Sequence, residues 1–375
     1  MKIVLAFDSY KGSLSAPAAC DAAAAGITRV PITPLDIRHC PLSDGGEGFA
    51  DALCRAGRGT RRLVQVTGPL FAPTQAELVF LDDGRTAIIE SAQACGLGLL
   101  PPAGSSPLHT TTYGVGELLR AAIAQGATRL IIGLGGSATN DAGLGMLAAL
   151  GWQFLDAEGR TLPGTGVSLA QIARIVPGPA LSPDVSIIAA CDVENPLYGP
   201  QGAAHVFAPQ KGATPEDVAM LDHGLVRFAM LSAETLGRDL AHHPGAGAAG
   251  GLGFALLAYL GATFQPGASL AIELSQLPVL LAQADLCLTG EGRTDGQTLF
   301  GKLPAAVIDC CVQAGVPVVC LSGALGDGWH DLYARGATAV LSISQRPQPL
   351  SEAIAHAERD LTDAAEAVVR LRALT

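Results

Sequence analysis

Short apolar segments that each end in a polar or glycine-rich turn constrain the fold of this chain most strongly. Residues 2–8 (KIVLAFD) have the unbroken apolar pattern of a buried parallel strand, and an alanine-rich helix is expected from Ser15, with Pro17 in its first turn. The strand pattern recurs near the C-terminus, before a charged helix, in residues 284–290, 316–323 and 338–344. Strands that alternate with helices in this way predict parallel βα units in a three-layer α/β sheet.

The middle of the chain has a different pattern. Its apolar segments are shorter, alternate with polar residues and are joined by turns such as Asp83-Gly84, which favours antiparallel pairing. A helix near 113–125 and a strand that ends at Gly133 then resume the βα pattern. We therefore predict two α/β domains: a discontinuous Rossmann-like three-layer parallel-sheet domain (residues 1–68 and 275–375) and a second α/β domain (residues 69–274) inserted into it.

Composition excludes several classes of protein. A hydrophobic fraction of 49% excludes a disordered chain, and a net charge of -11 argues against nucleic acid and anionic membranes as partners. The apolar run at the N-terminus is too short for a signal-peptide core, and no stretch is apolar enough to span a membrane. The nine cysteines contain no CxxC pair, which is typical of reduced thiols. We expect a soluble cytoplasmic protein.

Two polar turns near the N-terminus are candidates for binding. Lys11 and Ser13 follow the first predicted strand, where the carboxyl ends of parallel strands face a ligand. A helix cap beside a solvated lysine is the alternative. Asp44 and Glu47 bracket paired glycines in SDGGEG and offer carboxylate oxygens to Mg²⁺, although an ordinary turn at the start of a helix also uses Asp and Gly.

Two glycine-rich turns follow later apolar strands. Residues 133–143 (GLGGSATNDAG) contain Gly135, Gly136, Ser137 and Asn140, which predict a cradle of backbone donors for phosphate or another anion. Helix capping alone explains only part of this segment.

Residues 289–297 (TGEGRTDGQ) contain two acids and an arginine and have no role in core packing. Arg293 suits a bidentate grip on an anion, and Glu291 and Asp295 could hold a metal or accept a proton.

Further candidates are an acid and two lysines. Asp192 follows the apolar strand VSIIAA, Lys211 lies in FAPQKGA, and Lys302 lies in FGKLP, which is not a Walker A motif. Lysines are rare, since the 23 basic residues include only Lys2 and three lysines that each lie beside a glycine. This placement indicates that the compact ammonium groups of these lysines bind a small anion.

The string GAGAAG at 245–250 matches the spacing of a dinucleotide-binding fingerprint. The residues before it, DLAHHP, do not form a strand pattern, so a glycine-rich loop that opens an apolar helix is favoured. An NAD(P)-dependent oxidoreductase of hydroxy acids and a non-catalytic anion-binding module are the alternative functions.

Several of these motifs resemble those of the type I glycerate kinase family, bacterial enzymes that phosphorylate D-glycerate with ATP. Small departures occur at Phe7, Tyr10, Gly296 and Phe300, and they put only the local roles of 296 and 300 in question. The matching stretches run the length of the chain in the order of the family: DSYKGSLSA, PLSDGGEGFADAL, GLGGSATNDAGLGMLAALG, ACDVENPLYGPQGAAHVFAPQKGATP, PGAGAAGGLGFALLAYLGA and GEGRTDGQTLFGK.

The resemblance implies two α/β domains with the active site in the cleft between them, Mg²⁺ as cofactor and ATP as co-substrate. The reaction would transfer the γ-phosphoryl group to glycerate, with the 2-hydroxyl favoured over the 3-hydroxyl. The resemblance leaves open whether the protein forms a homodimer. Lys11 and Arg293 would neutralise charge, and the proton acceptor would be Asp192, Asp44 or Asp295, in that order of preference. The remaining expected roles are substrate or phosphate binding for Ser13, Gly135, Gly136, Ser137, Asn140, Lys211 and Lys302, and metal binding for Asp44, Glu47, Glu291 and Asp295.

Overall fold

Helices and strands alternate along the chain in the structure, a computed structural model that describes residues 1–43, 48–55, 59–101, 106–299 and 302–373. The strands are β1 Lys2–Phe7, β2 Asp36–His39, β3 Gly59–Thr67, β4 Pro73–Leu81, β5 Thr86–Glu90, β6 Arg129–Gly133, β7 Gln153–Leu155, β8 Arg174–Val176, β9 Ser186–Ala190, β10 Thr263–Gln265, β11 Leu286–Gly290, β12 Arg293–Thr294, β13 Val318–Ser322, β14 Ala324–Leu325 and β15 Ala339–Ser342. The α-helices are α1 Ala16–Ile27, α2 Phe49–Arg55, α3 Ala92–Cys95, α4 Tyr113–Ala124, α5 Leu144–Ala149, α6 Ala203–Phe207, α7 Pro215–Leu236, α8 Ala248–Leu260, α9 Gly267–Ser275, α10 Leu277–Leu281, α11 Leu303–Ala314, α12 Asp331–Ala334 and α13 Leu350–Arg372. The predicted α/β class is confirmed.

The chain divides into two compact units. Unit 1 comprises Met1–Asp44, Asp51–Gly59 and Pro266–Thr375, and unit 2 comprises Gly45–Ala50 and Thr60–Gln265. The domain boundaries inferred from the sequence stay a prediction. No helix in the described ranges is long and apolar enough to cross a membrane.

Unit 1 is built on a five-stranded parallel sheet in the order β15-β13-β11-β1-β2. Strand β1 is buried from Ile3 to Phe7, as expected for a central parallel strand that is covered on both faces. Alternate β1 residues, including Ile3 and Phe7, share one core with α1 and α13 residues such as Ala23 and Leu361. Helices α9, α10 and α11 of the same unit pack against one another.

Helices α1 and α13 approach each other closely. Helix α1 begins after Ser15, whose hydroxyl accepts a hydrogen bond from Ala18 N at 3.3 Å, and Pro17 lies in its first turn, as predicted. The Thr362 hydroxyl of α13 donates to the Ala22 carbonyl of α1 at 3.0 Å. This hydrogen bond attaches the C-terminal helix to the first βα unit.

Unit 2 is built on a six-stranded mixed sheet in the order β10-β9-β6-β5-β4-β3. The pairs β10/β9, β9/β6 and β6/β5 are parallel, whereas β5/β4 is antiparallel, in agreement with the alternating pattern of the sequence. A large apolar core that includes Ile89, Ile132 and Phe254 supports the sheet. The parallel half of this sheet aligns the carboxyl ends of β5, β6 and β9 at one edge.

Candidate functional site

The strand order of unit 1 reverses direction beside β1. Strand β2 lies on one side of β1, whereas β11, β13 and β15 follow on the other, so β1 and β11 flank a topological switch point. Open α/β sheets bind ligands at the carboxyl ends of their strands at such a point. The turn with Lys11 and Ser13 leaves β1 here, and the turn with Glu291, Arg293 and Asp295 leaves β11.

Close contacts join these two turns. Phe7 pairs with Gly290 at the ends of β1 and β11, and the Asp8 amide donates to the Gly290 carbonyl at 3.0 Å. A Cβ atom added to Gly292 would lie 3.2 Å from Lys11 N. The structure therefore brings the Lys11 turn and the Arg293 turn together.

The charged side chains of this edge face solvent. Lys11 is exposed, and the Arg293 side chain is 69% exposed, with its Nε 3.2 Å from Asp295 Oδ2. The Ser13 hydroxyl instead donates to the Ile354 carbonyl of α13 at 2.9 Å, which ties the first turn to that helix. Two cationic groups are thus accessible to an anion at the switch point.

Glu291 lies beneath the surface of the same edge. Its Oε1 accepts hydrogen bonds from the hydroxyls of Thr298 at 2.7 Å and Thr294 at 3.1 Å, and the residue is 7% exposed. Burial raises the pKa of Glu291, while Thr298, the nearby Lys302 and Thr294 act in the opposite direction. The Thr294 and Ser322 hydroxyls are 2.7 Å apart, so this network links the ends of β11 and β13.

Three further residues that the sequence predicts for the site are Lys302, Asp44 and Glu47. Lys302 immediately precedes the first residue of α11. Asp44 and Glu47, expected as metal ligands, lie outside the described residues. Within the described ranges, no group of three or more His, Cys, Asp or Glu side chains is arranged to hold a metal ion.

Three neighbouring strands of unit 2 end together. Glu90 of β5 pairs with Gly133 of β6, and Gly133 pairs with Ala190 of β9. Residues 133–143, which we call the glycine loop, therefore begin beside Glu90 and beside the segment that carries Asp192. Asp192 is exposed at this edge.

The glycine loop has an exposed part and a buried part. Gly135 and Gly136 are exposed, whereas Ser137 and Asn140 are buried. Lys211, only 4% exposed, donates from Nζ to Ser137 Oγ at 3.0 Å and to the Thr139 carbonyl at 2.6 Å. The lysine therefore contacts the loop from its buried side.

Burial also controls the ionisation of Lys211. It lowers the pKa of the Lys211 ammonium to about 8, although the neighbouring Asp141 carboxylate favours the charged form. The pKa of the Cys95 thiol is raised to about 12, chiefly by burial and secondarily by Asp141. Cys95 is therefore a protonated thiol near neutral pH, and Lys211 is charged below about pH 8.

Asp141 organises the end of the glycine loop. Its Oδ2 accepts from Thr112 N at 2.9 Å, Thr112 Oγ1 at 2.8 Å and Gly145 N at 3.2 Å, and its Oδ1 accepts from Gly143 N at 3.1 Å. Burial raises the pKa of Asp141, while the bonds from Thr112, Gly145 and Gly143 oppose the shift. These bonds join the glycine loop to the start of α4.

Some buried polar atoms beside the glycine loop have no hydrogen-bond partner among the described residues. They are Ser91 Oγ and Asn140 Oδ1, and the amide nitrogen of Asn140 donates to the Ala203 carbonyl at 3.3 Å. The Thr139 hydroxyl makes no well-directed hydrogen bond and lies beside the Cys95 thiol. Unsatisfied buried polar groups cost free energy, so their concentration here is consistent with a binding site.

Reasoning from the sequence missed Glu90. This carboxylate is 5% exposed, and it accepts a hydrogen bond at 2.7 Å from the amide of Ala50, in the first turn of α2. The available signal was an acid at the end of the apolar strand TAIIE. Glu90 holds the residues that directly follow the SDGGEG motif.

The GAGAAG segment does not follow a strand. Residues 241–247 form turns, and Ala249, Gly250 and Gly251 adopt left-handed conformations at the start of α8. A dinucleotide fingerprint requires a strand immediately before the glycines. The local structure therefore favours the glycine-rich loop over the nucleotide-binding turn.

Comparisons with known proteins agree on one family. Residues 3–373 match the model of the glycerate kinase family. A glycerate kinase of Bacillus subtilis is 43% identical, with 98% of each chain covered, and a glycerate 2-kinase of Escherichia coli is 41% identical, with 94% of this chain and 93% of that protein covered. The crystal structure of a putative glycerate kinase 2 from Salmonella typhimurium is 42% identical, with a TM-score of 0.87 over 100% of this chain and 98% of that chain. The resemblance inferred from the motifs is confirmed.

Proposed function

Because the chain belongs to the glycerate kinase family, we propose that it transfers the γ-phosphoryl group of MgATP to the 2-hydroxyl of D-glycerate, giving 2-phosphoglycerate. The observation that carries the proposal is the match to this family along residues 3–373. The 2-hydroxyl is favoured because the Escherichia coli relative is a glycerate 2-kinase. Transfer to the 3-hydroxyl is the alternative.

We assign the nucleotide phosphates to the switch point of unit 1. Lys11 and Arg293 are exposed there, and phosphoryl transfer chiefly requires positioning and neutralisation of charge on the transferring group. The Lys11 ammonium is a compact charge that can follow a moving oxygen, whereas the Arg293 guanidinium can bind two phosphate oxygens at once. Lys302, which precedes α11, would add a further positive charge to this unit.

The residues of this edge are chemically suitable for Mg²⁺. Mg²⁺ usually binds one or two protein carboxylates and completes its shell with phosphate oxygens and water, so a cluster of three acids is not required. Asp295 lies at the edge beside Arg293, and Glu291 lies below it. Bound there, Mg²⁺ would withdraw charge from the phosphates; Asp44 and Glu47 stay candidate ligands from the sequence.

We assign glycerate to the carboxyl edge of unit 2. The exposed glycines 135 and 136 would bind its carboxylate through backbone donors, with Ser137 and Asn140 below them. Asp192, which follows the neighbouring strand β9, would accept the proton of the 2-hydroxyl. The 2-oxygen then bonds to the γ-phosphorus while the bond from that phosphorus to the oxygen of ADP breaks.

The reaction is tested with purified protein, MgATP and a panel of hydroxy acids. ADP formation should depend on D-glycerate, and phosphorus NMR of the product should show the phosphate on C2. A product phosphorylated on C3 would overturn the regiochemistry and leave the kinase activity. Failure of glycerate to stimulate ADP formation would overturn the proposed function.

Three variants with matched controls test the assigned residues. Lys11→Ala, Arg293→Ala and Asp192→Asn should each lower turnover by at least about a hundredfold. The same substitutions at residues of the same types that have no assigned role, Lys2→Ala, Arg370→Ala and Asp184→Asn, should leave turnover within about twofold. If a variant of the first set keeps wild-type turnover, the residue substituted in it does not have the role assigned to it.

We also propose that the enzyme works in the reducing cytoplasm, which suits its nine free cysteines. Its substrates would be glycerate and ATP, without nucleic acid or membrane as partners. Whether it forms a homodimer is tested by light scattering of the purified protein.

A further inference from the structure

Lys211 connects a side chain and the main chain of the glycine loop through one atom. Its Nζ binds Ser137 Oγ at 3.0 Å and the Thr139 carbonyl at 2.6 Å, on either side of Ala138. The loop is also attached by its backbone, since the Ala138 amide donates to the Cys95 carbonyl at 2.7 Å. Other backbone bonds hold the loop as well, such as the one from the Leu97 amide to the Gly136 carbonyl at 2.9 Å, and the ammonium adds a side-chain tether between Ser137 and Thr139.

The rest of the loop differs from this tethered part. Gly135 and Gly136 are exposed, whereas Lys211 itself is 4% exposed. Lys211 Nζ uses two of its three N–H groups on the buried side of the loop. A ligand on the exposed glycines would therefore meet the loop backbone, while the ammonium lies behind it.

We propose that Lys211 is a positioning residue, whose buried ammonium holds Ser137 and Thr139 so that Gly135 and Gly136 present their backbone to the substrate anion. This inference rests on the proposed function, because it takes the glycerate carboxylate as that anion. The charge also attracts the anion through the loop, since Coulomb interactions are weakly screened at a buried site.

The tether should depend on pH. The titratable and charged groups that face Lys211 are the Cys95 thiol, whose pKa is raised to about 12, and the Asp141 carboxyl, whose hydrogen bonds come from Thr112 and two glycines. Lys211 changes charge near pH 8, because burial lowers its pKa to about 8, whereas the Cys95 thiol stays protonated there. The positive charge behind the loop is therefore present below that pH and lost above it.

Two substitutions separate the geometry of the tether from its charge. Lys211→Met keeps much of the side-chain length and removes both the donors and the charge. Lys211→Arg keeps the charge at every accessible pH, but its guanidinium is larger than an ammonium and its donors are fixed in one plane, so the geometry of the two bonds changes. Lys2→Met is the matched control, because Lys2 Nζ also donates to a carbonyl, that of Ala282 at 2.7 Å, away from the glycine loop.

Steady-state kinetics then give distinct expectations. Removing hydrogen bonds to a charged group should raise the KM for glycerate about tenfold to a hundredfold in Lys211→Met, with a smaller change in kcat. In the wild-type enzyme, the KM for glycerate should rise as pH increases from 7.5 to 9. Lys211→Arg should have an intermediate KM without this rise, and Lys2→Met should match wild type throughout.

Hydrogen exchange without substrate tests the tether independently of the reaction. Amides of residues 135–140 should exchange at least about tenfold faster in Lys211→Met than in wild type or Lys2→Met. Unchanged exchange there, or an unchanged KM for glycerate in an active Lys211→Met enzyme, would overturn the inference.

If Lys211→Met does not fold, the Lys211→Arg variant provides the test. A KM for glycerate that still rises between pH 7.5 and 9 in Lys211→Arg would contradict the role of the Lys211 charge. If wild type does not phosphorylate glycerate, the proposed function fails, and the exchange rates still test the tether.

Discussion

Substitution of Gly250 should disturb the glycine loop at the Thr139 carbonyl, the same group that binds Lys211. Gly250 has φ +69°, and a Cβ atom added there would overlap the Thr139 carbonyl oxygen and lie 2.7 Å from Asn140 Cα. The Gly250 backbone has little room to withdraw, because its carbonyl accepts a hydrogen bond from the Ala142 amide at 3.0 Å. In Gly250→Ala, the Thr139 carbonyl must therefore move, and it is the group that binds Lys211 Nζ.

The expected cost has two parts. A left-handed conformation costs a residue with a Cβ atom about 1–2 kcal/mol, and overpacking of a buried site costs about 1–3 kcal/mol more. Gly261, at the end of the same helix, isolates the first part, since it has φ +67° and no atom within 4 Å of an added Cβ. Gly250→Ala should therefore lower the free energy of unfolding by about 1–3 kcal/mol more than Gly261→Ala does.

Urea unfolding of the two variants and wild type measures this difference directly. Gly250→Ala should also raise the KM for glycerate, whereas Gly261→Ala should leave it unchanged, because only the former displaces the glycine loop. Equal free energies of unfolding within about 0.5 kcal/mol would show that the close approach between Gly250 and Thr139 is not a real constraint. That result would also weaken the argument for a tether at Thr139.

Two further predictions concern stability. The folded pKa of Lys211, about 8, lies below its ordinary value of 10.5, so the burial penalty on its charge is present below pH 8 and disappears as pH rises to 10.5. In urea unfolding, wild type should therefore gain up to about 3 kcal/mol relative to Lys211→Met between pH 8 and 10.5, and a constant difference would refute the buried charge. Thr298→Val removes the 2.7 Å bond to Glu291 Oε1 and should lower the free energy of unfolding by about 1–3 kcal/mol. Thr235→Val, which removes an exposed intrahelical bond, should cost less than about 1 kcal/mol, and equal losses in the two variants would contradict the support of Glu291.

The ends of the parallel strands could be predicted from the sequence, because their signals are local. An apolar run followed by a glycine-rich or charged turn marks the end of a strand. This pattern places Lys11, Arg293 and the glycine loop at the carboxyl ends of parallel strands. The order of the strands within each sheet has no comparable local signal. The switch point between β1 and β11 depends on pairing across 283 residues, as between the Thr289 hydroxyl and the Ala6 carbonyl.

The hydrogen-bond networks beneath these edges could not be predicted. Lys211 and Ser137 are 74 residues apart, and the Tyr10 hydroxyl bonds to the Leu321 carbonyl across 311 residues. In the sequence, a lysine beside a glycine is typical of an exposed anion-binding group. Lys211 is buried because of tertiary packing, which the sequence around it does not indicate. Glu90 shows the converse, since its strand was recognised while the partner of its carboxylate, the Ala50 amide, lies 40 residues away.

The choice between lysine and arginine follows from these environments. At Arg293 the side chain is exposed and a carboxylate of Asp295 lies beside its Nε, an arrangement that a planar fork can extend to a second anion. At Lys211 two acceptors converge on one nitrogen in a buried site, where a compact ammonium needs less space than a planar guanidinium. An ammonium also loses its charge near pH 8 in this environment, which arginine cannot do. The lysine at this position therefore has a physical explanation: two acceptors of the glycine loop converge on a small cation that burial makes sensitive to pH.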